Sequence, residues 1–141
     1  MKEKILSSKL ILLIPAYWAC IFDEIITIVN QSDEYWKGDL SKANEGNPIG
    51  AFMMASHTSG LFIICLLWLL LIGIIGYYLS NRKLKIFALF VLIAHSFGAS
   101  TWLSFHYNFW FAIAFIFVNA VLFIEADNIY EKRRKLKTIE I

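Results

Sequence analysis

The stretch Leu10–Val29, LILLIPAYWACIFDEIITIV, decides the fold. Its 20 residues are enough for one helical bilayer crossing. Asp23 and Glu24 interrupt it about 9 Å short of its outer end, at a rise of about 1.5 Å per residue. A charged side chain at the bilayer centre costs about 2.5–3.5 kcal/mol, so such groups face a protein interior or a wet cavity and take partners there. On a helix, Asp23, Thr27 and Asn30 share one face and Glu24, Thr27 and Gln31 the adjoining one. A polar stripe therefore runs from the acid pair to the helix end. Starting the span at Ile5 instead would put both acids at the interface, with Lys9 snorkelling, but would leave Ile25, Ile26, Ile28 and Val29 exposed beyond the membrane. Pro15 predicts a kink, because it leaves the carbonyl of Ile11 without a donor.

The rest of the chain agrees with a membrane protein. Of 141 residues, 59% are hydrophobic and 16% aromatic, more apolar surface than a soluble domain of this length can bury. One compact domain, 1–141, accounts for the length. The net charge of +2 argues against nucleic acid as a partner. Cys20 and Cys65 form no C-x-x-C and read as small hydrophobes. A cleaved signal peptide is not expected, since Tyr17-Trp18 stands where small residues belong.

Further spans are expected at about 59–79, 84–105 and 109–124, with a basic tail over 125–141 that continues as helix. Gly73 and Gly76 in the second span, and Ala94, Gly98 and Ala99 in the third, suit close helix approach. Residues 30–58 form an outer loop with a short surface helix. There Asn47 is a good N-cap and Pro48 a good first helical residue. Tyr35-Trp36 suits a membrane–water interface. In the tail, Glu131 and Lys135 are spaced for an i,i+4 pair.

Charge sets the orientation. With the N-terminus inside, the inner segments carry Lys2, Lys4, Lys9, Arg82, Lys83, Lys85, Lys132, Arg133, Arg134, Lys135 and Lys137. The outer ones carry only Lys37 and Lys42. This positive-inside bias places both termini in the cytoplasm, in the cytoplasmic (inner) membrane. The tail is read as a topology determinant that meets anionic lipid headgroups. The fold expectation is an all-α membrane protein with four transmembrane helices, N-in/C-in.

The candidate ligand-binding set is Asp23, Glu24, Thr27, Glu45, Asn47, His57 and His95, gathered in the outer half. His95, Trp102 and His106 share a helix face, at spacings of seven and eleven. A histidine on a membrane helix often only bonds a neighbouring helix, whereas beside an acid it can share a proton or hold a metal. Zinc or iron on Asp23, Glu45, His57 and His95 is open, although no local pair such as H-x-x-x-H stands in the chain. Ser96, Ser100, Thr101 and Ser104 near His95 form no nucleophile elbow. Asn119 is expected to bond across helices.

Phe22-Asp23, Thr27, Tyr35-Trp36, Asn44-Glu45-Gly46-Asn47-Pro48 and His57 together resemble a group of small bacterial multi-pass membrane proteins. That group, a domain of unknown function, carries an acid in its first helix and an E-x-N-P motif after it. The likeness covers roughly the first two spans. It implies that the acid and the E-x-N-P segment act as a unit, and it implies no chemistry. Thr58 stands where that pattern has proline.

Three function classes follow. The first is a membrane protein with a polar, outward-opening site for a small ligand, ion or proton. The second is a structural or accessory subunit of a membrane complex. The third is an intramembrane hydrolase, metal-dependent or not. The chain is short for a monomeric transporter and shows no inverted repeat, so transport would require a homo-oligomer.

Overall fold

A computed structural model describes residues 2–139. Met1, Glu140 and Ile141, the ends of the expected domain, lie outside the described residues, as do the side chains of Lys2, Lys4 and Lys137. Among the described residues all regular structure is helical. Helix α1 runs Lys2–Val29, α2 Asp33–Trp36, α3 Pro48–Ser56, α4 Gly60–Tyr78, α5 Asn81–His106 and α6 Phe109–Ile139, with a single 3₁₀ turn at Leu40–Lys42. Among the described residues four helices are long and apolar enough to cross a membrane, over Lys9–Val29, Gly60–Tyr78, Arg82–His106 and Phe109–Leu136. The chain is thus a helical bundle of multi-pass membrane type. The expected fourth span and the described part of the tail, to Ile139, form one continuous helix.

Helix α1 is the central element. It packs against α4, α5 and α6, whereas α4 touches α5 only sparingly. The small residues explain the contacts. A methyl group at Gly76 would lie 2.5 Å from Leu13 Cδ1, and one at Gly73 would lie 2.6 Å from the Tyr17 hydroxyl. Both glycines of α4 therefore admit α1 side chains, as expected of small residues at a membrane helix contact. Around them Leu12, Leu13, Ala16, Ile72, Leu84 and Ala88 form the tightest core. A second cluster, Ile26, Ala99, Leu103, Ala112 and Phe115, joins α1, α5 and α6, with Phe22 stacked on Phe115 at 4.3 Å. Pro15 is buried here, and α1 continues through it as one helix.

The two ends of the bundle differ. At the basic end, Lys9 Nζ donates to the carbonyl of Tyr77 at 2.6 Å, tying the start of the apolar part of α1 to the end of α4. Lys85 pairs there with Asp127 at 2.7 Å and Glu131 at 2.6 Å. Glu131 also holds Arg134 at 2.8 Å, so its partners are Lys85 and Arg134 where spacing alone suggested Lys135.

At the other end lies the 30–59 segment. Gln31 is buried at the end of α1, where its amide donates to Asn44 O at 2.7 Å and its carbonyl accepts from Asn44 N at 2.9 Å. Tyr35, expected at an interface, is instead completely buried against Met54 and Leu61, and its hydroxyl donates to the carbonyl of Thr58 at 3.2 Å. A tyrosine fits there because its hydroxyl finds an acceptor. Trp36 stays partly exposed beside Phe62.

Candidate functional site

Asp23 and His95 meet. The Asp23 Oδ2 to His95 Nδ1 distance is 2.9 Å, across 72 residues of chain, with both side chains less than one-fifth exposed. Asp23 projects from α1 onto Gly98 of α5, where a methyl group would lie 2.7 and 2.8 Å from its two carboxylate oxygens. Gly98 stands one helical turn after Ala94, in the small-residue run that the sequence marked for backbone packing. What it seats is a carboxylate.

Glu45 comes to the same place from the loop. Gln31 holds Asn44, and the next residue then turns back over α3. A methyl group at Gly50 would lie 2.8 Å from Glu45 Cγ, so this second acid also rests on a glycine. Its Oε1 accepts from Asn47 N at 2.6 Å, while Asn47 Oδ1 accepts from Ile49 N at 3.0 Å and caps α3. The E-x-N-P segment is thereby a self-bonded turn that presents one carboxyl. Burial raises the proton affinity of Glu45 above the ordinary glutamate value, the Asn47 N–H bond opposes that, and the nearby Asp23 adds to it.

These groups line a cavity of about 590 Å³ between α4 and α5, floored by α1. Asp23, Thr27, Glu45, Asn47, His95 and Thr101 supply most of its polar wall. Toward the basic end the wall is apolar, with Leu71, Ile72 and Ile75 facing Phe87, Phe90 and Val91. A smaller void of about 70 Å³, shared by Asp23, Thr27, Glu45 and His95, extends to Glu24 and Cys65. It is roomy and polar enough to admit water.

Six of the seven expected site residues therefore line these two spaces. Glu24 does so from the smaller one, where its Oε1 accepts a hydrogen bond from the buried Cys20 thiol at 3.3 Å. His57 does not join them. Its Nδ1 accepts from Ser59 N at 3.0 Å and lies 2.8 Å from Ser59 Oγ, so the ring closes the turn between α3 and α4 and is exposed. His106 stacks on Trp102 at 5.3 Å, outside the acid cluster. Asn119 bonds across helices as expected, donating to Ser96 Oγ at 2.8 Å.

No family model matches this chain, and no curated protein or solved structure is significantly similar to it.

The site's chemistry must therefore be read from its atoms. An ionised Asp23 accepts from His95 Nδ1, which assigns the proton to Nδ1 and leaves Nε2 as the acceptor of a neutral ring or the second donor of a charged one. The pair can share or pass a proton. Among the described residues no group of three or more His, Cys, Asp or Glu side chains is placed to hold a metal ion. Of the candidate metal ligands Asp23, Glu45, His57 and His95, His57 is bonded within the α3–α4 turn, apart from the other three. Nothing local in the sequence marked Gln31 or Gly50 as positioning residues, or the apolar part of the cavity. Each depends on which distant segment the residue meets.

Proposed function

We propose that this chain is a four-span protein of the cytoplasmic membrane, both termini inside, whose Asp23–His95–Glu45 site opens outward and binds a small polar or cationic group. The basic asymmetry supports the orientation, since Lys37 and Lys42 are the only lysines or arginines in the 30–59 segment. In this placement α3 lies at the outer surface and the basic part of α6 meets anionic headgroups on the inner side. The resemblance in Asp23 and Glu45-Gly46-Asn47-Pro48 enters the same proposal, with acid and turn acting as one unit.

A single observation carries the binding reading. Two helices and a loop each bring one ionisable side chain to a cavity that no side chain fills. Groups serving only to pin helices would be packed against one another, as Asn119 and Ser96 are.

Two measurements test it. Reporter fusions should give an outside signal after Lys42 and an inside signal after Lys83, and the reverse at either position overturns the orientation. Calorimetric titration of the full chain in lipid nanodiscs with ethylammonium tests the site. Three non-hydrogen atoms at a ceiling of about 1.5 kcal/mol each allow a Kd of about 0.5 mM at best. Saturable millimolar binding that Asp23→Asn abolishes is the expected result. Heat that never saturates, or that Asp23→Asn leaves unchanged, contradicts the reading.

A further inference from the structure

The cavity is longer than a small cation needs. Along α5 its lining runs from Phe87 to Trp102, about 22 Å of helix at about 1.5 Å per residue. The ionisable groups occupy only one part of that length. From His95 to Phe87, about 12 Å of axis, the α5 side of the wall is Ala94, Val91, Phe90 and Phe87. The facing α4 wall is equally apolar. A hydrated ion has no use for that half.

The flank is open as well. Phe90 and Phe97 are 66% and 72% exposed and Leu71 is 41% exposed, although all three line the cavity. The seam between α4 and α5, where the two helices barely touch, therefore faces the surroundings of the bundle. In the orientation proposed above those surroundings are acyl chains.

The charge of the polar end selects the head. Asp23 and Glu45 line the cavity and Glu24 the adjoining void, with His95 the only basic side chain among the described lining residues. Carboxyl groups outnumber the one imidazole, and no lysine or arginine among the described lining residues is there to receive a phosphate or carboxylate head. An ammonium head supplies three donors to these carboxyl groups, of which, among the described residues, Asp23 alone has a basic side chain on it, His95.

We infer that the site takes a membrane-dissolved amphiphile, an ammonium head on a single hydrocarbon chain, which enters sideways between α4 and α5 and lays its chain between Ile75 and Phe90. This rests on the proposed polar binding site and adds the chain to it. The head lies at Asp23 and Glu45, and the chain runs toward Phe87.

The test is photolabelling of the full chain in phosphatidylcholine nanodiscs with a tetradecylamine that carries a diazirine midway along its chain. Labelling should map to the groove, at Leu71, Ile75, Phe87 or Phe90, and not to the outward face of α6 around Phe117. Unlabelled tetradecylamine should displace it at a total concentration at least about tenfold below that of ethylammonium, and tetradecanoate should not displace it. Asp23→Asn should reduce groove labelling about tenfold, the scale of one charge-assisted hydrogen bond. Ile75→Trp, which fills the apolar part and leaves the acids in place, should remove the advantage of tetradecylamine over ethylammonium. If ethylammonium binds but the long amine labels all faces equally, or if Ile75→Trp changes nothing, the amphiphile inference fails and the polar site stands. If tetradecanoate displaces the label as well as the amine does, the charge argument is overturned. If neither amine binds, both readings fail.

Discussion

Two glycines in this bundle make the same kind of room for different chemistry. Gly76 of α4 admits Leu13 of α1, and Gly98 of α5 admits Asp23 of the same helix. Around Gly76 the interface is apolar and tightly packed on the α1 side, with Leu13 2% exposed. Around Gly98 it carries a carboxylate and an imidazole and stands beside an open cavity. Lipid gives apolar helices no hydrophobic reason to associate, so close packing at notches such as Gly76 holds the bundle together. The Gly98 notch spends a similar close approach on an ionisable group. That difference separates the half of α1 that holds the protein together from the half that we propose binds a ligand.

The largest expected effect lies on the binding side. Asp23→Asn preserves shape and removes the charge, and should weaken ethylammonium about 10- to 100-fold, corresponding to the roughly 1.5–3 kcal/mol of a hydrogen bond to a charged group. Thermal stability should change far less, because the neutral amide still fills the notch. A large loss of stability with binding intact would erase the contrast between the two halves.

Next comes the pair Gly98→Ala and Gly76→Ala. The alanine at position 98 meets carboxylate oxygens at 2.7–2.8 Å and must push Asp23 away from His95, so binding should fall about tenfold. At position 76 it meets Leu13 Cδ1 at 2.5 Å, the far end of a side chain that can shift. Overpacking there should cost about 1–3 kcal/mol at most, read as a lower Tm, with ligand affinity unchanged. Equal effects of the two substitutions on binding would break the comparison.

Glu45 gives a smaller effect with a pH signature. Its folded-state proton affinity is raised by burial, so it favours the folded protein when protonated. That contribution is complete below the ordinary glutamate value and is lost as pH rises through the raised one. Asp23 from α1, His95 from α5 and the Asn47 and Gly46 N–H groups of its own turn act on it. In the ligand-free protein Glu45→Gln should therefore flatten the fall in Tm as pH rises from the ordinary glutamate value toward neutrality. After screening, the gain at neutral pH should be about 0.5 kcal/mol or less. A steeper fall in the variant would contradict the burial of Glu45. Smallest of all, Ser96→Ala removes the Asn119 bond and should cost about 0.6 kcal/mol, typical of interhelical bonds in membranes, without touching binding.

The sequence already contained the helices, because four apolar runs of spanning length punctuated by basic turns admit few other structures. It also pointed to most of the ionisable residues that line the cavity, and for one reason: Asp23 and Glu24 are costly in an apolar run, so partners had to exist, and few segments could supply them. The positions of His95 and Glu45 follow from that shortage. What stayed hidden depends on contacts between distant segments. Nothing local in Gln31 indicates that it will grip Asn44, and Gly98 reads the same whether it receives a methyl group or a carboxylate. His57 misled because a histidine beside a short polar motif looks like a ligand, whereas its Ser59 neighbour satisfies it within the turn. Composition did not show that Tyr35 is buried, since a Tyr-Trp pair suits an interface equally well when one ring is buried.

The most direct test is the imidazole nitrogen spectrum of the full chain, ¹⁵N-labelled at its three histidines, in nanodiscs titrated with ethylammonium. Exposed His57 and His106 serve as internal references. The expected result is a saturable shift of the His95 resonances alone at millimolar ligand, absent in Asp23→Asn. A shift shared by all three histidines, or a His95 signal that stays fixed while ligand is added, would contradict a binding site built on Asp23 and His95.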